Sequence, residues 1–181
     1  SASEGSSSVD LPEDGGELYP ADVVHSPITP SVADSLNTIA SGVGKTDGIF
    51  MKVGGGTTAS ANFFTCLADP NNVMGLPLPL QGTATFFNTN MIGNETSFNR
   101  ISVAAMDGFA AADVLAGPLM SEIDAISPRF AAVLLGTKEL ELAQPDTLFT
   151  FADDLLAIVD ALIAEIVVPV LSTVPTRTMP A

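Results

Sequence analysis

Two short stretches of the chain carry residues whose types and positions could support chemistry. The first is the glycine turn Gly54–Gly56, which is followed by the hydroxyl side chain of Thr57. If a helix begins there, its free backbone amides could bind a small anion or a sugar. The second is the charged pair of Lys138 and Glu139, which follows an apolar run. A merely permissive turn and a solvated ion pair are the alternative interpretations.

Three further candidates are weaker. His25 is the sole histidine and lies in a Ser-rich, acidic stretch at 1–27, so we interpret it as a surface histidine. Cys66 is the only cysteine and has no basic neighbour in sequence, which predicts a buried, inert thiol. The run at 42–46 resembles the end of a P-loop, but Ile39 stands where the Walker pattern requires glycine. That run therefore predicts a helix end and a connector.

The elements that must position these residues follow from hydrophobic spacing. The apolar run at 49–53 and the helix-compatible spacing after the glycines predict a strand, a tight turn and a helix. In open parallel sheets, the ligand crevice lies outside the carboxyl ends of the strands. Further strands are predicted at 101–105, 130–135 and 166–171, and helices at 29–41, 109–116, 119–126 and 149–164. This alternation predicts a three-layer α/β/α fold with a flavodoxin-like parallel sheet.

Two segments differ in composition from this body. Residues 1–27 predict an extended acidic arm or linker, and residues 28–181 predict a single α/β domain. Within the domain, residues 69–100 predict a long loop insertion, because they combine several Pro, Asn and Thr residues. We expect this insertion to be held to the body by four apolar side chains: Phe86, Phe87, Met91 and Phe98.

Charge and hydropathy exclude some classes of function. The formal net charge is -15, from 21 acidic and 6 basic residues, so the chain should repel nucleic-acid backbones and anionic membrane surfaces. No apolar run reaches the roughly 20 residues of a membrane span. We predict no nucleic-acid partner, no transmembrane segment, no cofactor and no metal site. The acidity suits a secreted or cell-surface protein.

The predicted strand ends resemble three sequence blocks of the SGNH/GDSL hydrolases. Residues 49–64 resemble block I, in which a strand ends in Gly-Asp-Ser and the serine is the nucleophile. Residues 129–139 resemble the strand and Gly-x-Asn-Asp of block III, and residues 101–108, with Gly108, resemble block II more loosely. The order and spacing of these blocks are those of the family. The resemblance implies an SGNH-hydrolase-like α/β/α domain.

The residues that would carry the family's catalysis do not match. Gly55 stands where the family has Asp, and Gly56 stands where it has the nucleophilic Ser. Lys138 replaces the oxyanion-hole Asn, and Glu139 replaces the Asp beside it. The block V Asp-x-x-His, which supplies the base, has no counterpart before Ala181. A serine without an adjacent base is a weak nucleophile, so a chain that lacks both should not hydrolyse esters by this mechanism.

The resemblance and its gaps suggest three functions. The first is a non-catalytic SGNH-like domain that serves as a structural or interaction subunit of an extracellular assembly. The second is an inactive or partial acyl or carbohydrate ester hydrolase, whose remaining catalytic part lies on another chain. The third is ligand binding at Gly54–Gly56, Thr57 and Gly108. The family's fold has a fifth strand and this sequence predicts four, so we expect the open edge Ile166–Leu171 to be covered by the N-terminal arm of a neighbouring molecule, by a second polypeptide that carries the missing part, or by another copy of this chain.

Overall fold

A computed structural model of the chain describes residues 29–142 and 145–172, and these form helices on both faces of a small sheet. The helices are α1 (Pro30–Ala40), α2 (Gly56–Ala59), α3 (Pro70–Met74), α4 (Leu78–Asn88), α5 (Ala111–Leu115), α6 (Pro118–Ile126), α7 (Thr137–Leu142) and α8 (Pro145–Ala164). The strands are β1 (Thr46–Gly54), β2 (Met91–Ile92), β3 (Glu95–Thr96), β4 (Pro128–Leu134) and β5 (Val168–Leu171).

The sheet is parallel and has the strand order β1, β4, β5. Val53 of β1 aligns with Val133 of β4, which in turn aligns with Leu171 of β5. The predicted α/β class, with helices flanking a parallel sheet, is confirmed and is consistent with a flavodoxin-like fold. Of the four predicted strands, three are formed in the described part of the chain.

The predicted strand at 101–105 is wrong in its extent. Only Ala105 pairs with β1, through a single parallel bridge to Gly54. Ser102 explains the difference, because its hydroxyl oxygen accepts the Ala104 N–H and its carbonyl accepts the Ala105 N–H, both at 3.2 Å. A serine that binds nearby amides favours a turn over a continuous ladder.

One face of the sheet, which we call the closed face, is covered by α5, α6 and α8. Its side chains include Met51 and Val53 of β1, which are 1% and 0% exposed. Ile158 and Leu162 of α8 pack into the same cluster and are fully buried. The amphipathic helix predicted over 149–164 is therefore present, although it begins at Pro145 and leaves Phe149 exposed.

The opposite face, which we call the open face, carries an aromatic cluster beneath α3 and α4. Phe50 of β1 lies at its centre and contacts the rings of Phe87 and Phe98 edge to face, with centroids 5.2 Å away in each case. Phe130 of β4 contacts Phe87 in the same way at 5.7 Å. Edge-to-face contacts of this kind add to the stabilisation from burial.

The loop predicted over 69–100 is wrong, because this segment forms α3, α4 and the hairpin β2–β3. Its prolines indicated a loop, but Pro70 and Pro79 lie in the first turns of the two helices, where a missing N–H costs nothing. Phe98 is buried and Phe87 is half-buried, as expected of anchors. Phe86 and Met91 are 46% and 52% exposed, so they do not anchor the segment.

The predicted strand at 166–171 begins later than expected. Val167 N–H donates to Leu162 O at 2.8 Å and Ile166 N–H donates to Ile163 O at 3.0 Å, the two hydrogen bonds of a Schellman helix end. Ile166 occupies the left-handed position of that motif, with a φ of 61°. Because Ile166 and Val167 end α8, the strand begins at Val168.

Cys66 lies in a short 3₁₀ turn (Thr65–Ala68) and is exposed, so the expectation of a buried thiol is wrong. Helix α2 has only four residues, and the chain after it turns along the surface. Cys66 therefore does not lie on a helix that packs against the core. None of the described helices combines the length and hydropathy needed to cross a membrane.

Candidate functional site

A crevice of about 480 Å³ lies at the carboxyl end of the sheet, where an α/β fold usually binds its ligand. We call this cavity the crevice. The glycine turn, the Asp107–Phe109 loop and the start of α7 form its walls. Its lining residues are Gly55, Gly56, Thr57, Asp107, Gly108, Phe109, Leu134, Leu135, Gly136, Thr137, Lys138 and Glu141. The structure thus brings together Gly55, Gly56, Thr57, Gly108 and Lys138, all of which sequence reasoning selected.

The glycine turn is packed tightly where it leaves β1. A side chain at Gly54 would overlap Thr58 Oγ1 and the Leu134 carbonyl oxygen, so only glycine fits there. Thr58 is itself buried, and its hydroxyl donates to Leu134 O at 3.2 Å. Gly54 therefore lies behind the crevice rather than in its wall, and the Thr58 hydroxyl fixes the turn to the end of β4.

Gly56 faces the carboxylate of Asp107. A Cβ atom added at Gly56 would overlap Asp107 Oδ1, whereas one at Gly55 would lie 3.1 Å from Phe109 O. A serine at position 56, where the resembled family has its nucleophile, would fit only if Asp107 moved. Asp107 was not selected from the sequence, since nothing in the sequence places its carboxylate against a turn 51 positions earlier.

Lys138 lies on the rim of the crevice. Its ammonium group contacts Asp113 Oδ2 at 3.2 Å, and the two side chains are 44% and 46% exposed. Asp113 also caps α5, because the same oxygen accepts the Ala110 N–H at 2.8 Å. The hydrogen bond from Ala110, followed by that from Lys138, lowers the pKa of Asp113 below its ordinary value. The sequence predicted that Lys138 would lie in a solvated loop or form a local ion pair with Glu139, whereas in the structure it pairs with Asp113.

Glu139 lies behind the crevice wall. It is only 5% exposed, so its interpretation as part of a solvated pair is wrong. Its Oε1 accepts the N–H of Ala111, the first residue of α5, at 2.8 Å. Among the described residues, its Oε2 has no hydrogen-bond partner. Glu139 thus holds the start of α5 against α7, a structural task that explains its burial.

The described wall of the crevice has two threonine hydroxyls, of Thr57 and Thr137, and none of its residues is a serine, histidine or cysteine. His25 lies outside the described residues, and Cys66 is exposed in the 3₁₀ turn rather than in the crevice wall. Within the described ranges, no group of three or more His, Cys, Asp or Glu side chains could hold a metal ion. What the crevice offers a ligand is backbone amides, two threonines, Asp107, Glu141 and Lys138.

Comparisons of the chain with protein-family models, with curated proteins and with solved structures find no significant match.

A second concave surface lies on the open face, and we call it the apolar groove. Its volume is about 810 Å³ and its walls are almost entirely hydrocarbon. It is lined by Phe50, Phe64, Leu67, Leu76, Leu80, Gly82, Thr83, Ala84, Phe86, Phe87, Phe98, Phe130, Ala132 and Val170. Several of these side chains remain exposed, among them Leu80 at 53% and Val170 at 53%. The groove therefore reaches the last strand of the sheet.

The outer edge of β5 has no strand partner among the described residues. Ser172 N–H donates to Val133 O at 2.9 Å, so the amide of Ser172 points towards β4. Because backbone amides alternate in direction along a strand, this shows which amides of β5 point outwards. Leu171 N–H consequently points away from the sheet, and Pro169, the other outward position, has no N–H to offer. The edge can therefore add only a short strand, centred on Leu171.

Proposed function

We propose that the chain is a non-catalytic, SGNH-like interaction domain of an extracellular or cell-surface assembly, which binds a partner protein or a second copy of itself at one corner of the sheet. That corner consists of the apolar groove and the outer edge of β5. The crevice at the carboxyl end, which the resembled family uses for catalysis, has no catalytic part in this proposal.

The observation that carries the proposal is the continuity of the groove with the open strand edge. Val170 belongs to both surfaces, because it lines the groove and lies in β5 beside Leu171. Val170 is 53% exposed on the open face, whereas the side chain of Leu171 lies on the other face, in register with Val133, and is 50% exposed. The apolar surface of the groove thus continues as far as Val170, and exposed apolar surface of this kind is rare on a monomer and usually marks an interaction site. A partner could insert apolar side chains into the groove and hydrogen-bond to Leu171.

Two features support a limited, specific contact over open-ended strand addition. Pro169 removes one outward donor, which prevents a long ladder along β5. The net charge of -15 makes two copies repel one another at low ionic strength. Association of two copies should therefore strengthen as salt is added, whereas a basic partner should bind best at low salt.

The crevice supports the non-catalytic part of the proposal. Glycines stand at 55 and 56, and the Asp107 carboxylate occupies the space that a side chain at Gly56 would need. The alternative function, a partial ester hydrolase completed by another chain, would require a serine nucleophile and a base, and neither a serine nor a histidine is among the described residues of this wall. We expect no turnover of a short acyl ester by the chain, and none after the double substitution Gly55→Asp and Gly56→Ser. Turnover by the unaltered chain at rates typical of esterases would refute the non-catalytic proposal.

The interaction is tested with a matched pair of substitutions. Val170→Lys places a charge in the corner, and Val43→Lys places the same charge at a position that is 88% exposed and outside the groove. Size-exclusion chromatography with light scattering, at low and high salt, measures self-association. We expect Val170→Lys to abolish it and Val43→Lys to leave it unchanged.

Amide hydrogen exchange provides the second measurement. In the monomeric chain, Leu171 N–H should exchange like an exposed amide, and binding should protect it. A lone monomer in which Leu171 N–H is already protected would mean that the chain covers its own edge. That result would overturn the proposal.

A further inference from the structure

A buried lysine on the open face has no role in the proposed interaction. Lys52 lies on β1 and is only 6% exposed. Its ammonium group donates to the Phe98 carbonyl oxygen at 3.3 Å, a single neutral acceptor for a group with three protons. Burial, followed by the charge of Arg100, lowers the pKa of Lys52 below 10.5. A buried ammonium group with so few partners is costly to the fold.

Lys52 forms no ion pair within the described part of the chain. Arg100 pairs with Glu122, whose side chain is fully buried, and Glu122 Oε2 also accepts the Val103 N–H at 3.0 Å. Glu122 and the exposed Glu95 attract Lys52 without forming a hydrogen bond to it. The Lys52 ammonium group therefore lacks a charged group in direct contact.

Lys52 lines a cavity of about 190 Å³, which we call the Lys52 cavity. Its other lining residues are Thr58, Ala59, Ser60, Ala61, Thr65, Asn99, Ile101, Ser102 and Ala105. It borders α2, and none of its lining residues lines the crevice or the apolar groove.

The wall of the Lys52 cavity offers hydrogen-bond donors. Ser60 Oγ accepts the Asn62 N–H, and Ser102 Oγ accepts the Ala104 N–H, each at 3.2 Å. No acceptor for either hydroxyl proton is found among the described residues. A cavity lined by a lysine and by two hydroxyl groups without a described acceptor is complementary to an anion whose oxygens accept hydrogen bonds.

We propose that the Lys52 cavity binds a small oxygen anion, either an inorganic oxyanion or the carboxylate of a small acid, with the Lys52 ammonium as its main ligand and the Ser60 and Ser102 hydroxyls as donors. The bound anion gives the Lys52 ammonium the directly contacting charged partner that the described residues do not supply. Because Lys52 is shielded from solvent, this local attraction is screened less than the long-range repulsion from the acidic surface.

The chain has three lysines, Lys45, Lys52 and Lys138, so a sample labelled with ¹³C at lysine gives three Cε signals in an NMR spectrum. Sodium acetate, sodium sulfate or sodium phosphate replaces sodium chloride at constant ionic strength. We expect the Lys52 signal to move saturably and its titration to shift to higher pH, because a bound anion favours the charged amine. The Lys45 and Lys138 signals should not follow it.

The salts identify the source of the anion. A response to acetate alone assigns a carboxylate ligand, and a response to sulfate or phosphate alone assigns an inorganic oxyanion. The proposal is overturned if Lys52 does not respond up to about 100 mM of any of the three, a concentration at which even weak sites fill. It is equally overturned if chloride alone produces the same response.

Three substitutions and one control complete the test. A bound anion should raise the thermal stability of the folded chain. Lys52→Met keeps the length of the side chain and should abolish that rise. Lys138→Met removes an exposed lysine from the crevice rim and should leave that rise intact. Ser60→Ala changes an exposed residue and should weaken binding several-fold while Lys52 remains, so the test does not depend on the folding of Lys52→Met. An unchanged affinity in Ser60→Ala and Ser102→Ala would contradict the assigned donors.

Discussion

The two faces of the sheet are built from alternate residues of the same strands, but helices cover them to different extents. On the closed face, Met51 and Val53 of β1 lie under α5, α6 and α8 and have almost no exposure. On the open face, Phe50 and Phe130 lie in an aromatic cluster that α3 and α4 cover only in part. The closed face contains the more completely buried core, and the open face retains the exposed apolar surface that we propose as the binding site.

This difference arises from the helices. Ile158 and Leu162 are one helical turn apart on α8, and both are fully buried against the sheet. On α4, only Ala84 is buried, and Leu78 and Leu80 are 81% and 53% exposed. A helix that buries a single small residue leaves most of its apolar side chains in contact with water. The apolar groove is the consequence.

The largest expected effect comes from a cavity in the closed face. Leu162→Ala should lower the free energy of unfolding by about 3 kcal/mol, because the site is fully buried and packed on all sides. Leu80→Ala, the same substitution on the open face, should cost about 0.5 kcal/mol or less. Chemical denaturation of both variants measures the difference. Equal losses would mean that the groove is closed in solution, which would contradict the comparison.

The sequence predicts the covering of the closed face but not that of the open face. The closed face follows from periodicity, since Leu155, Leu162 and their neighbours recur at helical spacing and the run at 130–135 is wholly apolar. The open face does not, because Pro70 and Pro79 favour a loop unless they happen to lie in the first turn of a helix. Sequence alone cannot distinguish these positions when the following residues are weak helix formers.

The position of the crevice could be predicted from the sequence, but the contacts among its side chains could not. The glycine turn and the end of β4 meet at the crevice because parallel strands end on the same side of the sheet. The role of Glu139 as a cap of α5, and the approach of Asp107 to Gly56, are contacts between distant segments. The Lys52 cavity was missed for the same reason, since a lysine within an apolar strand indicates burial but not what surrounds it.

A smaller effect distinguishes the groove from exposed apolar surface in general. Phe86→Ala should reduce the fluorescence of an apolar dye such as anilinonaphthalene sulfonate, because Phe86 lines the groove while being 46% exposed. Phe149→Ala removes a ring that is 73% exposed and lies outside the groove, and it should leave dye binding unchanged. Both should alter the free energy of unfolding by less than about 1 kcal/mol. Equal loss of dye binding in the two variants would show that the groove is not the binding surface.

The smallest expected effect concerns the crevice rim, where α5 of the closed face begins. The pKa of Asp113 is lowered in the folded chain, so the unfolded chain holds its proton more readily as the pH falls. The stabilisation is therefore present above the ordinary pKa of 3.8 and is lost as the pH falls through the lower, folded value. Because Asp113 is exposed, screening limits the effect to a few tenths of a kcal/mol.

The cause of this pKa shift can be separated by two substitutions. The hydrogen bond from Ala110 is the largest single cause, and Lys138 adds both a hydrogen bond and a Coulombic attraction. Asp113→Asn should therefore reduce the loss of stability at acid pH by a few tenths of a kcal/mol, and Lys138→Met should remove only part of that effect, with unfolding measured between neutral pH and pH values below 3.8. Asp153→Asn, on the exposed side of α8, controls for the loss of one negative charge. If Lys138→Met changed the pH dependence of stability as strongly as Asp113→Asn, the ion pair rather than the helix cap would hold α5 at the crevice. The stability of the rim would then fall as salt is added, unlike that of the apolar core on the closed face.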